Sequence, residues 1–212
     1  MTKRCVIFDF DGTLFDTGEG IRDTARYALD KLGVKDFPDE KMNLFIGPSL
    51  FYAFNEIVGL DEERSKLGVE LYRERYKSVG IDKSCPYGGM KELLDKLKAD
   101  GYVLTIASSK PLEMVRYLLR KHDLSGYFDK VCAADFTTVS CDKADFITAA
   151  SLGDSNVMVG DTRFDIEGGH KAGVKVIAAA YGFGASETLS EAEYKADSPA
   201  EVYLKIKEVF TI

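Results

Sequence analysis

The sequence predicts an α/β fold: a doubly wound, mainly parallel sheet with a small all-helical cap inserted after the first strand. Three observations carry that expectation. Cys5-Val6-Ile7-Phe8 is an unbroken run of strand formers ending at Asp9, the look of a strand covered on both faces. From Val103 to Ala179, short apolar runs alternate with amphipathic helical stretches, the order that builds a parallel sheet. Between these two regions, only helical periodicity is visible.

Taken in order, Val6, Ile7 and Phe8 form the first strand. Strand alternation projects Asp9 and Asp11 to one side, and Gly12 frees the backbone to turn away from them. Thr17 is placed to cap a helix carrying Ile21, Ala25, Leu29 and Leu32 at helical spacing, with Gly33 as its stop. Pro38, the segment Met42 to Ile46, a Gly47-Pro48 turn, Ser49 to Val58 and a helix from about Asp61 to Val79 follow. Leu67, Leu71 and Tyr72 mark the expected buried side of that last helix, and Arg64, Lys66, Arg73, Glu74 and Arg75 its wet side. Residues 18–84 are thus the expected cap domain, and residues 1–17 with 85–212 the α/β core domain. Pro86-Tyr87-Gly88-Gly89 punctuates the return, and Met90 to Ala99 is a helix. Strands over Val103 to Ala107, Lys130 to Ala133, Asn156 to Val159 and Val174 to Ala179 then alternate with helices over Pro111 to Lys121, Lys143 to Ser151 and Asp165 to Ala172. A terminal helix starts at Ser198-Pro199.

The 212 residues are 45% hydrophobic and 30% charged, ample for a sizeable core. No apolar run approaches the roughly 20 residues of a membrane helix, and Met1-Thr2-Lys3-Arg4 leads directly into a strand, so a soluble, cytoplasmic protein is expected. A net charge of -7 argues against nucleic acid as a partner, while leaving room for a local pocket that takes one small anion, and without a membrane-length run no membrane partner is expected. The expected assembly is a monomer or homodimer. Cys5, Cys85, Cys132 and Cys141 show no metal-ligand spacing and read as free thiols. His122 and His170 are solitary and read as helix-terminal or surface residues. Arg64, Arg73, Arg75 and Lys77, interspersed with Glu70 and Glu74, read as a solvated helix face. Tyr181-Gly182-Phe183-Gly184 lacks the pattern of a phosphate-binding P-loop and reads as a loop bordering the site.

Parallel strands in such a sheet present their carboxyl ends along one edge, where ligands bind. There the sequence delivers Asp9 and Asp11, Ser108 and Ser109, Asp135, and Gly160-Asp161 with Asp165 one helical turn on. Converging carboxylates repel one another, and a hard divalent cation is the simplest neutraliser; Mg²⁺ fits an all-oxygen donor set. Asp9 and Asp161 would be direct ligands joined by the backbone carbonyl of Asp11, with Asp165 orienting them. Lys143, at the start of a helix, would draw in a phosphate dianion, and Ser108, Ser109 and the backbone around Gly12 would hydrogen-bond its oxygens. Asp9 could then attack in line, while Asp11 protonates the leaving alkoxide and activates water.

Asp9-Phe10-Asp11-Gly12-Thr13-Leu14-Phe15-Asp16-Thr17 resembles the first motif of the haloacid dehalogenase superfamily. Ile106-Ala107-Ser108-Ser109-Lys110-Pro111 is similar to its second motif, Lys143 resembles the lysine of its third, and Val159-Gly160-Asp161-Thr162-Arg163-Phe164-Asp165-Ile166 looks like its acidic fourth. The resemblance spans nearly the whole chain and implies a Rossmann-like core, Mg²⁺ and an aspartyl-phosphate route. The third motif departs from the common Gly-Lys-Pro, reading Cys141-Asp142-Lys143-Ala144-Asp145, which leaves Lys110 as an alternative lysine. Ser109 stands where phosphoglycolate-phosphatase-like members often carry Asn. Asp11 is absent from dehalogenase and phosphonatase branches, so the resemblance implies phosphoester hydrolysis. Phe45-Ile46-Gly47-Pro48-Ser49-Leu50 resembles the substrate-facing loop of phosphoglycolate phosphatases and bacterial 5′-nucleotidases, with Gly47, Pro48 and Ser49 as specificity residues. The implied function is therefore a phosphoglycolate-phosphatase-like hydrolase of a small phosphate ester. A 5′-nucleotidase, a phosphosugar mutase and a catalytically silent phosphate-binding regulator are the alternatives.

Overall fold

The computed structural model describes residues 2–135 and 142–211. Strand β1 (Arg4–Phe8) lies in the middle of a six-stranded sheet with β4 (Val103–Pro111) and β6 (Ser155–Gly160) as parallel neighbours. Strand β5 (Lys130–Ala134) lies beyond β4, and β7 (Lys175–Ala179) and β8 (Tyr194–Ala196) beyond β6, giving the order β5-β4-β1-β6-β7-β8 with every pairing parallel. The side chains of β1 sort by alternation. Val6 and Phe8 join the larger apolar cluster, which extends into the inserted helices, whereas Cys5 and Ile7 join Ile147, Met158, Ile166 and Val176 on the opposite face.

Helices cover both faces: α4 (Met90–Ala99), α5 (Leu112–Lys121), α6 (Lys143–Ala150), α7 (Arg163–Lys171), the short α8 (Ser186–Leu189) and α9 (Pro199–Thr211). The strands expected from the sequence are present. Two features were not foreseen. One is β8, only three residues long and paired at the sheet edge. The other is a separate antiparallel ribbon of β2 (Phe15–Asp16) with β3 (Cys85–Pro86). Strand β4 also runs on to Pro111, with an irregular register between Ser108 and Pro111.

The chain leaves the sheet through β2 and returns through β3, and the described elements between them are helical. They comprise α1 (Gly18–Lys31), a 3₁₀ segment (Asp39–Phe45), the turn α2 (Leu50–Tyr52) running into a π segment (Ala53–Ile57), α3 (Glu62–Ser78) and a short 3₁₀ turn (Gly80–Lys83).

Two sequence expectations need correction here. Thr17 does not cap α1: its backbone is not in the extended conformation of a capping residue, its hydroxyl is buried without a partner, and Asp16 accepts the Gly18 N–H at 3.1 Å instead. The buried face of α3 is Ser65, Gly68, Val69, Tyr72 and Tyr76, while Leu67 is 48% exposed and Leu71 half-buried. Small residues let α3 approach its neighbours, since a Cβ on Gly68 would stand 3.0 Å from the Phe54 ring, and hydrophobic patterning undervalues such a stripe.

Candidate active site

Asp9 continues the alternation of β1 onto the face of Cys5 and Ile7, and its N–H still bonds to Val159 at 2.8 Å as the ladder ends. That face is covered by α6 and α7, which contribute Ile147 and Ile166 to it, so the first residue of α6, Lys143, and the third of α7, Asp165, reach Asp9. The Lys143 ammonium pairs with Asp9 Oδ1 and lies 2.8 Å from Asp165 Oδ1. Asp165 Oδ2 in turn accepts from the Thr162 N–H at 2.9 Å and hydroxyl at 2.7 Å, which fixes the carboxylate over the first turn of α7.

Asp161, at the end of β6, is fully buried and held by uncharged donors: the Thr13 hydroxyl on Oδ1 at 3.2 Å and the Phe183 N–H on Oδ2 at 2.8 Å. Tyr181 donates to the Thr13 carbonyl at 3.0 Å, so the loop after β7 borders the site as expected. The sequence reading missed the roles of Thr13 and Phe183. Thr13 lies inside the first motif, but a main-chain N–H such as that of Phe183 leaves no side-chain signature. Gly12 makes the approach possible: its φ is +86°, and a Cβ there would lie 2.0 Å from Asp161 Oδ2.

Asp9, Asp161 and Asp165 form a buried carboxylate cluster with ligand atoms within 4.8 Å of one another. Burial, then the negative charges of Asp165 and Asp11, push Asp9 up to about 7 against the pull of Lys143. Burial, followed by the charges of Asp165 and Asp9, also drives Asp161 well above the usual carboxylate range. With all three ionised, one ammonium leaves a deficit of two positive charges among oxygen donors, and a hard divalent cation fits that deficit and that donor set.

The Asp11 carboxylate stands apart from this cluster, and the metal role expected of Asp11 is that of its main-chain carbonyl. The turn at Gly12 carries its side chain to a second buried lysine, and Lys110 Nζ donates to Asp11 Oδ1 at 2.9 Å. The two lysines have separate carboxylates: Lys143 pairs with Asp9 and Asp165, and Lys110 with Asp11. The pull of these carboxylates outweighs burial and raises both ammonium groups above the ordinary lysine value.

Above the carboxylates lies a cavity of about 280 Å³. Asp9, Asp11, Ser108, Ser109 and Lys110 contribute to its floor, and Phe45, Gly47, Pro48, Ser49, Phe51 and Tyr72 from the inserted helices to its walls. Ser108 is buried, with its hydroxyl accepting the Lys110 N–H at 3.2 Å. Gly47, with φ at +101°, rests on Thr162, whose methyl carbon would be 2.8 Å from a Cβ. The Ser49 hydroxyl caps α2 by accepting from the Tyr52 N–H at 3.3 Å. Arg73, expected on the solvated side of α3, is half-buried and lines the cavity with Lys66 and Glu70, facing the charge of Asp135. Arg64 and Arg75 are exposed, the first bonded to the Leu32 carbonyl and the second over the Tyr27 ring.

His122 follows the last residue of α5 and meets Phe15 edge-on, and His170 sits in the last turn of α7 beside Glu193, so neither approaches the site. Cys5, Cys85 and Cys132 are free thiols, and Cys141 lies outside the described residues. Among the described residues, no helix is long and apolar enough to cross a membrane.

The profile of the haloacid dehalogenase-like hydrolases matches residues 6–179, from the first strand through β7. The chain is a haloacid dehalogenase-like hydrolase. Among relatives of this hydrolase is a Pseudomonas aeruginosa protein named 5′-nucleotidase, 33% identical over 190 residues that cover 87% of this chain and 86% of the relative. An Aquifex aeolicus protein named phosphoglycolate phosphatase is 31% identical over 185 residues, covering 85% and 86%. The crystal structure of a protein described as a predicted phosphatase from Clostridium acetobutylicum superposes with a TM-score of 0.91 at 33% identity, covering 98% of this chain and 99% of that one. Within its family the hydrolase is thus a phosphoric monoester hydrolase.

Proposed function

We propose that this hydrolase is a Mg²⁺-dependent phosphatase of a small phosphomonoester, phosphoglycolate-phosphatase-like, working through an aspartyl-phosphate on Asp9. The observation that carries the reading is the buried cluster of Asp9, Asp161 and Asp165, with Lys143 on Asp9 and Asp165, next to the cavity that Asp9 lines. Asp9, Asp161 and the Asp11 carbonyl would hold the cation, with Asp165 orienting the set. When bound, Mg²⁺ would supply the charge that lets a phosphate dianion sit beside carboxylates.

Asp9 attacks phosphorus, the bond to the leaving oxygen breaks, and Asp11 gives that oxygen its proton. Water then attacks the phosphoryl group, returns a proton to Asp11 and frees Asp9, so the enzyme ends as it began. Lys143 offsets charge on Asp9 and the transferring group, and Ser108 and Ser109 hydrogen-bond its oxygens, whereas the Gly12 N–H, expected to join them, is taken by the Phe15 carbonyl at 2.8 Å. Residues 18–84 act as the cap domain, shutting out water and choosing the alcohol half through Gly47, Pro48 and Ser49. Core residues 1–17 and 85–212 carry the chemistry.

Hydrolysis of p-nitrophenyl phosphate with and without EDTA, together with Asp9→Asn, tests the reading. Loss of activity in both cases is expected, and full activity in either overturns it. A 5′-nucleotidase reading is favoured by the apolar walls of the cavity, where Phe45, Phe51 and Tyr72 suit a ring-bearing alcohol better than glycolate. Phosphate release from a nucleoside monophosphate and from phosphoglycolate, compared as kcat/KM, separates the two.

A further inference from the structure

We propose that Lys110 is a positioning residue for Asp11, and that Tyr76 from the inserted helices completes the hold. The inference rests on the reading of Asp11 as acid and base. Lys110 lies at the irregular end of β4, two residues after Ser108, with its side chain only 5% exposed. Its ammonium donates to Asp11 Oδ1 at 2.9 Å and to the Tyr76 hydroxyl at 2.8 Å, and stands 4.4 Å from the centre of the Tyr76 ring. Tyr76 is itself fixed, with its hydroxyl 3.3 Å from Ser84 Oγ and its ring stacked on Tyr72 at 5.6 Å.

One oxygen of Asp11 is thereby tied. The other has no hydrogen-bond donor among the described residues, while the side chain borders the cavity. A carboxylate anchored at one oxygen by a buried charge presents the second in a set direction, and a proton donor displaced by about 1 Å loses on the order of 10²-fold in rate. Lys143 is engaged with Asp9 and Asp165, so the two buried lysines divide the labour. Because Tyr76 belongs to α3, seating that helix on the sheet edge and aligning Asp11 are a single event.

The experiment compares kcat/KM for an alkyl phosphate, whose alkoxide needs a proton, with p-nitrophenyl phosphate, whose leaving group does not. Both are measured with saturating Mg²⁺ on Asp11→Asn, Lys110→Met, Tyr76→Phe and the Asp11→Asn/Lys110→Met double variant. Lys110→Met is expected to lose about 10²-fold on the alkyl ester and under about 10-fold on the aryl ester. The double variant is expected to lose no more than Asp11→Asn alone, because the two residues act as a unit. Equal losses on both esters that multiply with Asp11→Asn would overturn the proposal. If Asp11→Asn itself does not discriminate between the esters, it is the acid–base reading of Asp11 that fails. Tyr76→Phe, which removes one hydrogen bond and keeps the ring, decides the matter if Lys110→Met does not fold. A loss of several-fold confined to the alkyl ester supports the proposal, and wild-type values on both esters overturn it.

Discussion

Lys143 touches two carboxylates, whereas Asp161 is held, among the described residues, by a hydroxyl and an amide, so the charge of the buried carboxylate cluster is left unbalanced. The imbalance has a sign that can be measured. Asp9 is pushed up to about 7 in the folded chain from 3.8, so between those values the folded state binds more protons than the unfolded one. Cation-free protein is therefore expected to lose thermal stability as pH rises from about 4 to about 7, and saturating Mg²⁺ to flatten that slope. Thermal melts in EDTA and in Mg²⁺ across this range are the check; identical slopes would refute the cation assignment. Gly12→Ala addresses the same spot by shape. The left-handed backbone alone costs about 1–2 kcal/mol, and the overlap with Asp161 Oδ2 should displace a ligand and cut kcat/KM by about 10²-fold.

Single elements carry smaller and more local effects. Asp142 caps α6, accepting the Ala144 N–H at 3.1 Å, and pairs with Lys171 at 2.9 Å; the Lys171 bond and then the backbone bond hold its carboxyl below the usual range. Asp142→Ala should cost about 1 kcal/mol at neutral pH. For a carboxylate with a depressed folded value, that difference from wild type is present above its unfolded value and fades as pH falls through the folded one, which denaturant titrations at pH 7 and pH 3 would reveal. Thr17→Val removes a buried hydroxyl that has no partner, so the midpoint should hold or rise.

The elements also define what the sequence could convey. The strands from β1 to β7 were legible because apolar runs of strand length stand between helical periods, and Asp9, Asp161, Asp165 and Lys143 were legible because each lies at the end or start of such an element. The buried face of α3 was not legible, since Ser65 and Gly68 are small and polar or bare while Leu67 points outward. Nor was the pairing of Asp11 with Lys110, which depends on the turn at Gly12 and on Tyr76 arriving from α3.

For the whole molecule, the inserted helices share the larger apolar cluster with the sheet and meet its edge through specific contacts. Gly47 sits on Thr162, Arg163 donates to the Tyr52 hydroxyl at 3.3 Å, and Lys110 reaches Tyr76. Gly47→Val should push this loop off Thr162 and raise KM for an alkyl phosphate several-fold while changing kcat less, a split read from steady-state kinetics. The ribbon of β2 and β3 has a separate consequence. Because Asp16 lies opposite Cys85, the points where the helical segment leaves and rejoins the sheet are one strand spacing apart. A segment whose two ends are neighbours can be lengthened, shortened or exchanged without stretching the sheet that bears it. Such an arrangement makes the inserted helices an interchangeable part, free to change while the carboxylates beneath them stay in register.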